Sequence, residues 1–268
     1  MRQAAHASPD WKLIEPHLPD PATATEAELE MEGDLLRVRR FPEDALDYYN
    51  YALQRGGNAA ILFDKLGVTQ LELGNAPIAR AYFERVVKLR RSDPQGWNNL
   101  GAVEFLNRNF GGAIWNYKRA IKLNRKFAVS HSNLGMAYVE VKDYSSANKE
   151  FVTALKLDPR IFQHDGTGGI SLHMLSTEDH ARFCFQMAKV YARMGDEDAM
   201  LHELETASQA GLDVQDEMSR DRDLSRYAKD PRVVNLVLVA KSMRMHHDVA
   251  ANLASALPPA APPLAPGR

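Results

Sequence analysis

The densest group of residues able to do chemistry lies in FQHDGTGGISLHMLSTEDH, residues 162–180, which holds His164, Asp165, His173, Asp179 and His180. Imidazole nitrogens and carboxylates ligate zinc and kindred ions, yet this spacing follows none of the recurrent metal patterns. His180 precedes Cys184 by one helical turn, the placement that a thiolate–imidazole pair needs. Cys184, the only cysteine, falls at an apolar position of a helical pattern, where cysteine serves as a small buried hydrophobe. The GTGG run at 166–169 lacks the Lys-Ser/Thr ending of a phosphate loop. No Ser-His-Asp set, paired carboxylates or dinucleotide fingerprint stands elsewhere, and His246 and His247 are expected to be exposed. No cofactor, metal or catalytic residue is therefore expected. A metal- or cysteine-dependent enzyme at 162–184 ranks third of three readings.

A second set suits recognition. Asn98, Asn99, Ser132 and Asn133 both donate and accept hydrogen bonds, and Leu71, Phe105, Met136 and Val139 offer apolar contact. Asn99 and Asn133 stand thirty-four residues apart. What would bring them to one surface is a repeat of that length, and the chain has one.

Glycine recurs at Gly33, Gly67, Gly101 and Gly135, and alanine at Ala45, Ala79, Ala113 and Ala147. An aromatic recurs at Tyr49, Phe83, Tyr117 and Phe151, and a small apolar residue at Ala52, Val86, Ala120 and Ala154. Four columns in register define units 26–59, 60–93, 94–127 and 128–161. Trp97, Leu100, Gly101 and Glu104 fall at i, i+3, i+4 and i+7, one face of a helix. Glycine costs ~1 kcal/mol inside a helix, so a recurring glycine implies close helix approach. The aromatic is expected to wedge against the next unit.

The pairs WNNLG (97–101) with AIWNYKRAI (113–121), and NLGMAY (133–138) with ANKEFVTALKLDP (147–159), resemble the tetratricopeptide repeat family. The resemblance is close over 26–161 and loose over 181–214. It implies an all-α, right-handed superhelical solenoid of stacked helix-turn-helix units, with a C-terminal capping helix. Positions two, five, six, nine, twelve and thirteen of each unit would form the concave stripe that family members use for peptides. The residues named above would line that groove. The implied function is a non-catalytic adaptor binding a peptide or helix of another protein, and the alternative is an envelope assembly factor of pilus or secretion type. Some members clamp a C-terminal carboxylate with lysine at position five. Here position five holds Glu30, Asp64, Asn98 and Ser132, and Lys65 is the only cation at position six, which departs from that clamp.

Around the repeats, residues 1–25 are expected to be a leader or an N-terminal cap built on Trp11, Leu13, Ile14 and Leu18. Residues 162–180 read as an insertion loop, with a helix restarting near Thr177. Residues 181–250 read as a degenerate fifth unit with capping helices, and 251–268 as a Pro/Ala-rich disordered tail. The composition, 45% hydrophobic and 25% charged with net charge −2, is that of an ordinary globular chain. No apolar run approaches the ~20 residues of a membrane span. From Arg80 to Lys126, eleven Lys or Arg stand against three acids, mostly on second helices. That block reads as a solvated exterior first and as a seat for an acidic partner or a second copy next; no base-reading motif points to nucleic acid. Arg2 is not followed by the roughly 7–15 apolar residues of a secretion signal, so the cytoplasm is expected. Ala5-His6-Ala7 before Ser8 has the small-x-small form of a cleavage site, so a start upstream of Met1 would imply export to the periplasm.

Overall fold

The computed structural model describes residues 2–162, 177–240 and 242. All regular structure among them is helical. No helix among the described residues is long and apolar enough to cross a membrane. The chain divides into two compact units, Met1–Leu172 and His173–Arg268.

The first unit is four helix-turn-helix pairs at the boundaries the period predicts. They are α3 (Glu26–Val38) with α4 (Pro42–Gln54), α5 (Ala59–Glu72) with α6 (Ala76–Leu89), α7 (Pro94–Leu106) with α8 (Phe110–Leu123), and α9 (Ala128–Glu140) with α10 (Tyr144–Leu157). Within this unit α4 also packs on α5, α6 on α7 and α8 on α9. Helix starts follow local chemistry. Thr25 and Glu28 close a reciprocal capping box, and the Asp93 side chain accepts the Gln95 N–H with Pro94 in the first turn.

The turn inside each pair has its own repeat. Residues Arg40, Gly74, Arg108 and Lys142 all take positive φ, between 59° and 77°. The next amide then bonds back over the helix end, as in Phe41 to the Leu36 carbonyl and Asp143 to the Tyr138 carbonyl. This column is hidden in the sequence because three of its four members are not glycine.

The glycine column has a direct cause. A Cβ on Gly33, Gly67, Gly101 or Gly135 would lie 2.4–2.5 Å from a ring carbon of Tyr49, Phe83, Tyr117 or Phe151 respectively. Each ring is fully buried and sits on the glycine of its own pair. The expected contact with the following unit stands beside this one: the Lys65 ammonium of α5 lies 5.8 Å from the Tyr49 ring centre, and Phe83 shares a buried cluster with Leu100 and Val103 of α7.

The N-terminal segment is a folded cap: α1 (Arg2–His6), α2 (Pro9–Ile14) and a 3-10 turn (Glu15–His17). Trp11 is buried, stacked on His6 at 3.7 Å and edge-on to Phe41 at 5.1 Å. Arg2 bridges Asp44 and Asp47 of α4. Ile14 and Leu18 pack on this core, but Leu13 is 71% exposed and takes no part.

In the second unit, α11 (Thr177–Met194) and α12 (Glu197–Gln209) form the fifth pair, joined by Gly195 at φ 80° with the same back-bond, Asp196 to the Tyr191 carbonyl. Here Ala188 replaces the glycine and Leu204 the aromatic, and both lie in one buried cluster with Cys184, Met200 and Ala207. α13 (Val214–Arg220) follows. The closing helix begins only at 231, because the Asp221 carboxylate caps the turn ahead of it, Asp230 caps the helix itself by accepting the Arg232 N–H, and Pro231 suits a first turn. Val233, Val237 and Ala240 pack into the core while Val234 and Leu238 face outward. Most of the expected insertion loop, the end of the capping helix and the 251–268 tail lie outside the described residues.

Candidate functional site

A pocket of about 580 Å³ opens on the first helices of the first three pairs, lined by Asp34 and Arg37 of α3, Asp64, Lys65, Val68, Leu71 and Glu72 of α5, and Gln95 of α7. All eight occupy positions two, five, six, nine, twelve or thirteen of their units. The pocket thus lies on the expected stripe positions, but one to two units earlier than most of the residues first assigned to the groove.

Charge organises the floor. Lys65 Nζ reaches Glu30 at 2.7 Å and Asp34 at 2.5 Å, tying α5 to α3. Arg37 meets Glu72 at 3.0 Å, a second tie between the same helices. The Tyr49 hydroxyl donates to Asp34 at 2.8 Å, and burial with that carboxylate pushes its pKa up. Asp64 accepts from Gln95 Nε2 at 2.9 Å and from Asn99 Nδ2 at 2.8 Å. Burial raises the Asp64 carboxyl above its ordinary value, opposed by those two hydrogen bonds. Both cations are thus engaged by acids of the wall. The face presented to a ligand is acceptor-rich around two half-buried aliphatic side chains, Val68 and Leu71. Such a surface receives backbone N–H groups on carboxylate oxygens and an apolar side chain on the aliphatic pair.

Of the residues first assigned to the groove, Leu71 alone lines this pocket. Asn98, Asn99, Ser132, Asn133, Phe105, Met136 and Val139 are buried, so they do not form an open wall. The physical reason is twofold. Helices α7 and α9 carry apolar and small residues nearly all round, and such helices are buried on every face. Their amides also bond within the stack: Asn98 Nδ2 donates to Asn99 Oδ1 at 3.3 Å, and Asn98 Oδ1 accepts from Ser130 at 3.0 Å and Asn133 at 3.1 Å. With Asp64 and Gln95 this makes a polar seam across α5, α7 and α9. It holds the pocket's back wall in place. Asp34, Arg37, Val68, Glu72 and Gln95 were not singled out in sequence, and Asp64 and Lys65 were named there only as departures from a carboxylate clamp. Their signal was the stripe position combined with charged residues, most of them on α3 and α5, in contrast to the small, apolar and amide side chains that dominate α7 and α9.

The expected chemical cluster is only partly in view. His164, Asp165 and His173 lie outside the described residues. His180 Nε2 and Cys184 Sγ do come within 3.7 Å, as the one-turn spacing predicts. Cys184 is buried, and burial, with the Glu203 carboxylate second, raises its thiol pKa, which keeps it protonated. Among the described residues, no three His, Cys, Asp or Glu side chains converge as a metal site would need.

Comparison with known proteins agrees with this geometry. Residues 65–126 and 128–161 each match a tetratricopeptide repeat family model. The chain carries tetratricopeptide repeats over these residues. Over 114 residues it is 32% identical to anaphase-promoting complex subunit cut9 of Schizosaccharomyces pombe, covering 39% of this chain and 17% of that protein. The match thus spans about a sixth of that relative's length. Among solved structures, TTC0263, a thermophilic repeat protein of Thermus thermophilus, aligns with TM-score 0.50 at 20% identity, over 80% of this chain and 100% of its own. The Cut9–Hcn1 hetero-tetramer of the anaphase-promoting complex aligns with TM-score 0.50 at 19% identity, over 80% of this chain and 36% of that chain. These two likenesses speak for the fold.

Proposed function

We propose that the chain is a non-catalytic scaffold that seats an extended segment of a partner protein in the α3–α5–α7 pocket. The observation that carries this reading is the open pocket itself, whose eight lining residues all fall on the stripe that stacking aligns. Proteins of this family are in general interaction scaffolds, and the curated relative is by name a subunit of a multi-protein complex. The ligand chemistry follows from the lining: an aliphatic or aromatic side chain against Val68 and Leu71, flanked by backbone N–H groups facing Asp64 and Glu72. The test is site-specific photo-crosslinking in the native host. A photoreactive residue at Val68 should give discrete protein adducts, while the same probe at the exposed Leu89 of α6 should not. Adducts at Leu89 and none at Val68 would move the site off this face.

A further inference from the structure

A second surface of the first unit shares no residue with the pocket. It centres on Trp115 of α8, which is 60% exposed. The Trp97 ring lies edge-on to it at 5.6 Å, and the Arg119 guanidinium sits over the Trp97 ring, 5.6 Å from its centre. Trp97 Nε1 donates to the Arg91 carbonyl at 2.9 Å, which ties the preceding turn to this ladder. Residues 115, 119 and 122 follow i, i+4, i+7 spacing, so Trp115, Arg119 and Lys122 share one stripe of α8.

The acids nearest these cations in sequence are already engaged. Glu84 and Glu104 are taken by Arg80, and Asp93 caps α7. Among the described residues no carboxylate forms an ion pair with Arg91, Arg119, Lys122 or Lys126. An exposed indole held edge-on to a second indole that an arginine covers is pre-organised contact area, with little ordering left to do on binding. Tryptophan and arginine are also the residue types that dominate binding energy at interfaces.

We propose that this face of α8 docks an acidic peptide segment of a partner protein, setting an apolar side chain on Trp115 and carboxylates on Arg119, Lys122 and Arg91. A peptide fits better than a nucleic acid. The chain as a whole carries net charge −2 and repels a long polyanion, whereas a short segment responds to the field within one Debye length, ~8 Å at physiological salt.

The experiment selects a displayed random dodecapeptide library against the full chain and ranks the enriched peptides on four proteins: wild type, Trp115→Ala, Lys122→Glu and Leu71→Ala. Trp115 and Lys122 are both exposed, so each variant should fold, which circular dichroism melts are to check. Enriched sequences should combine Asp or Glu with an aromatic or aliphatic residue. Their binding should fall about tenfold or more in Trp115→Ala and in Lys122→Glu, survive Leu71→Ala, and weaken when salt rises from ~0.05 to ~0.5 M. Four results would overturn the proposal. They are selection without acidic bias, binding at wild-type strength by the Trp115 and Lys122 variants, tighter Trp115-dependent binding of poly(U) or of phosphatidylserine vesicles, and Trp115-dependent dimerisation of the chain alone.

Discussion

At Gly101 the space a side chain would fill is occupied by the ring of Tyr117, whose Cε1 would stand 2.5 Å from an added Cβ. Gly101→Ala would gain ~1 kcal/mol of helix propensity and lose ~1–3 kcal/mol to overpacking, giving a net loss of up to ~2 kcal/mol. The fifth pair shows the compensated form, Ala188 in the same buried cluster as Leu204. Denaturant unfolding should therefore find that Gly101→Ala is costly in the wild type and neutral or stabilising in a Tyr117→Leu background. An equal cost in both backgrounds would separate the glycine from the ring. The two columns are visible in the sequence, but their pairing is not. With a period of thirty-four, Tyr49 is equally in register with Gly33 behind it and Gly67 ahead, so periodicity cannot choose between them. Only the packed ring decides.

The same limit recurs in the elements. Helix positions, unit boundaries and the Asp93–Pro94 start follow from hydrophobic spacing and capping chemistry, both local properties. Which stripes remain open depends on what packs around each helix. The charged residues of EAELEMEGDLLRV in α3, set against the nearly uncharged AVSHSNLGMAYVE of α9, were the legible hint. One pair carries its own pH signature. His131 of α9 has both ring nitrogens on acceptors, Nδ1 on Glu150 of α10 at 2.6 Å and Nε2 on the Arg125 carbonyl at 3.0 Å. Burial works against the imidazolium, yet these bonds outweigh it and the pKa is raised. A raised folded value stabilises the fold fully below the unfolded pKa of ~6.5, and that contribution is lost as pH rises through the folded value. Unfolding free energy should thus decline over that window in the wild type and stay flatter in His131→Gln. Matching slopes for the two proteins would assign the dependence to other groups.

For the whole molecule, the division of labour lies in where polar groups are spent. The amides of α7 and α9 are consumed in a seam that joins repeats, and the groups left for a partner are the carboxylates and aliphatics of α3 and α5. The second unit buries its one thiol in a core of its own. The scaffold reading therefore stands or falls on whether binding follows the open stripe or the buried amides. The direct measurement is calorimetric titration of the partner segment captured at Val68 onto Leu71→Ala and Asn133→Ala. Leu71→Ala should weaken binding by ~1–2 kcal/mol through lost apolar contact while leaving stability nearly unchanged. Asn133→Ala should lower stability by ~0.5–1.5 kcal/mol, because it removes one of the two donors to the buried Asn98 Oδ1, and leave affinity intact where the protein remains folded. Affinity lost in a folded Asn133→Ala protein and retained in Leu71→Ala would contradict the account.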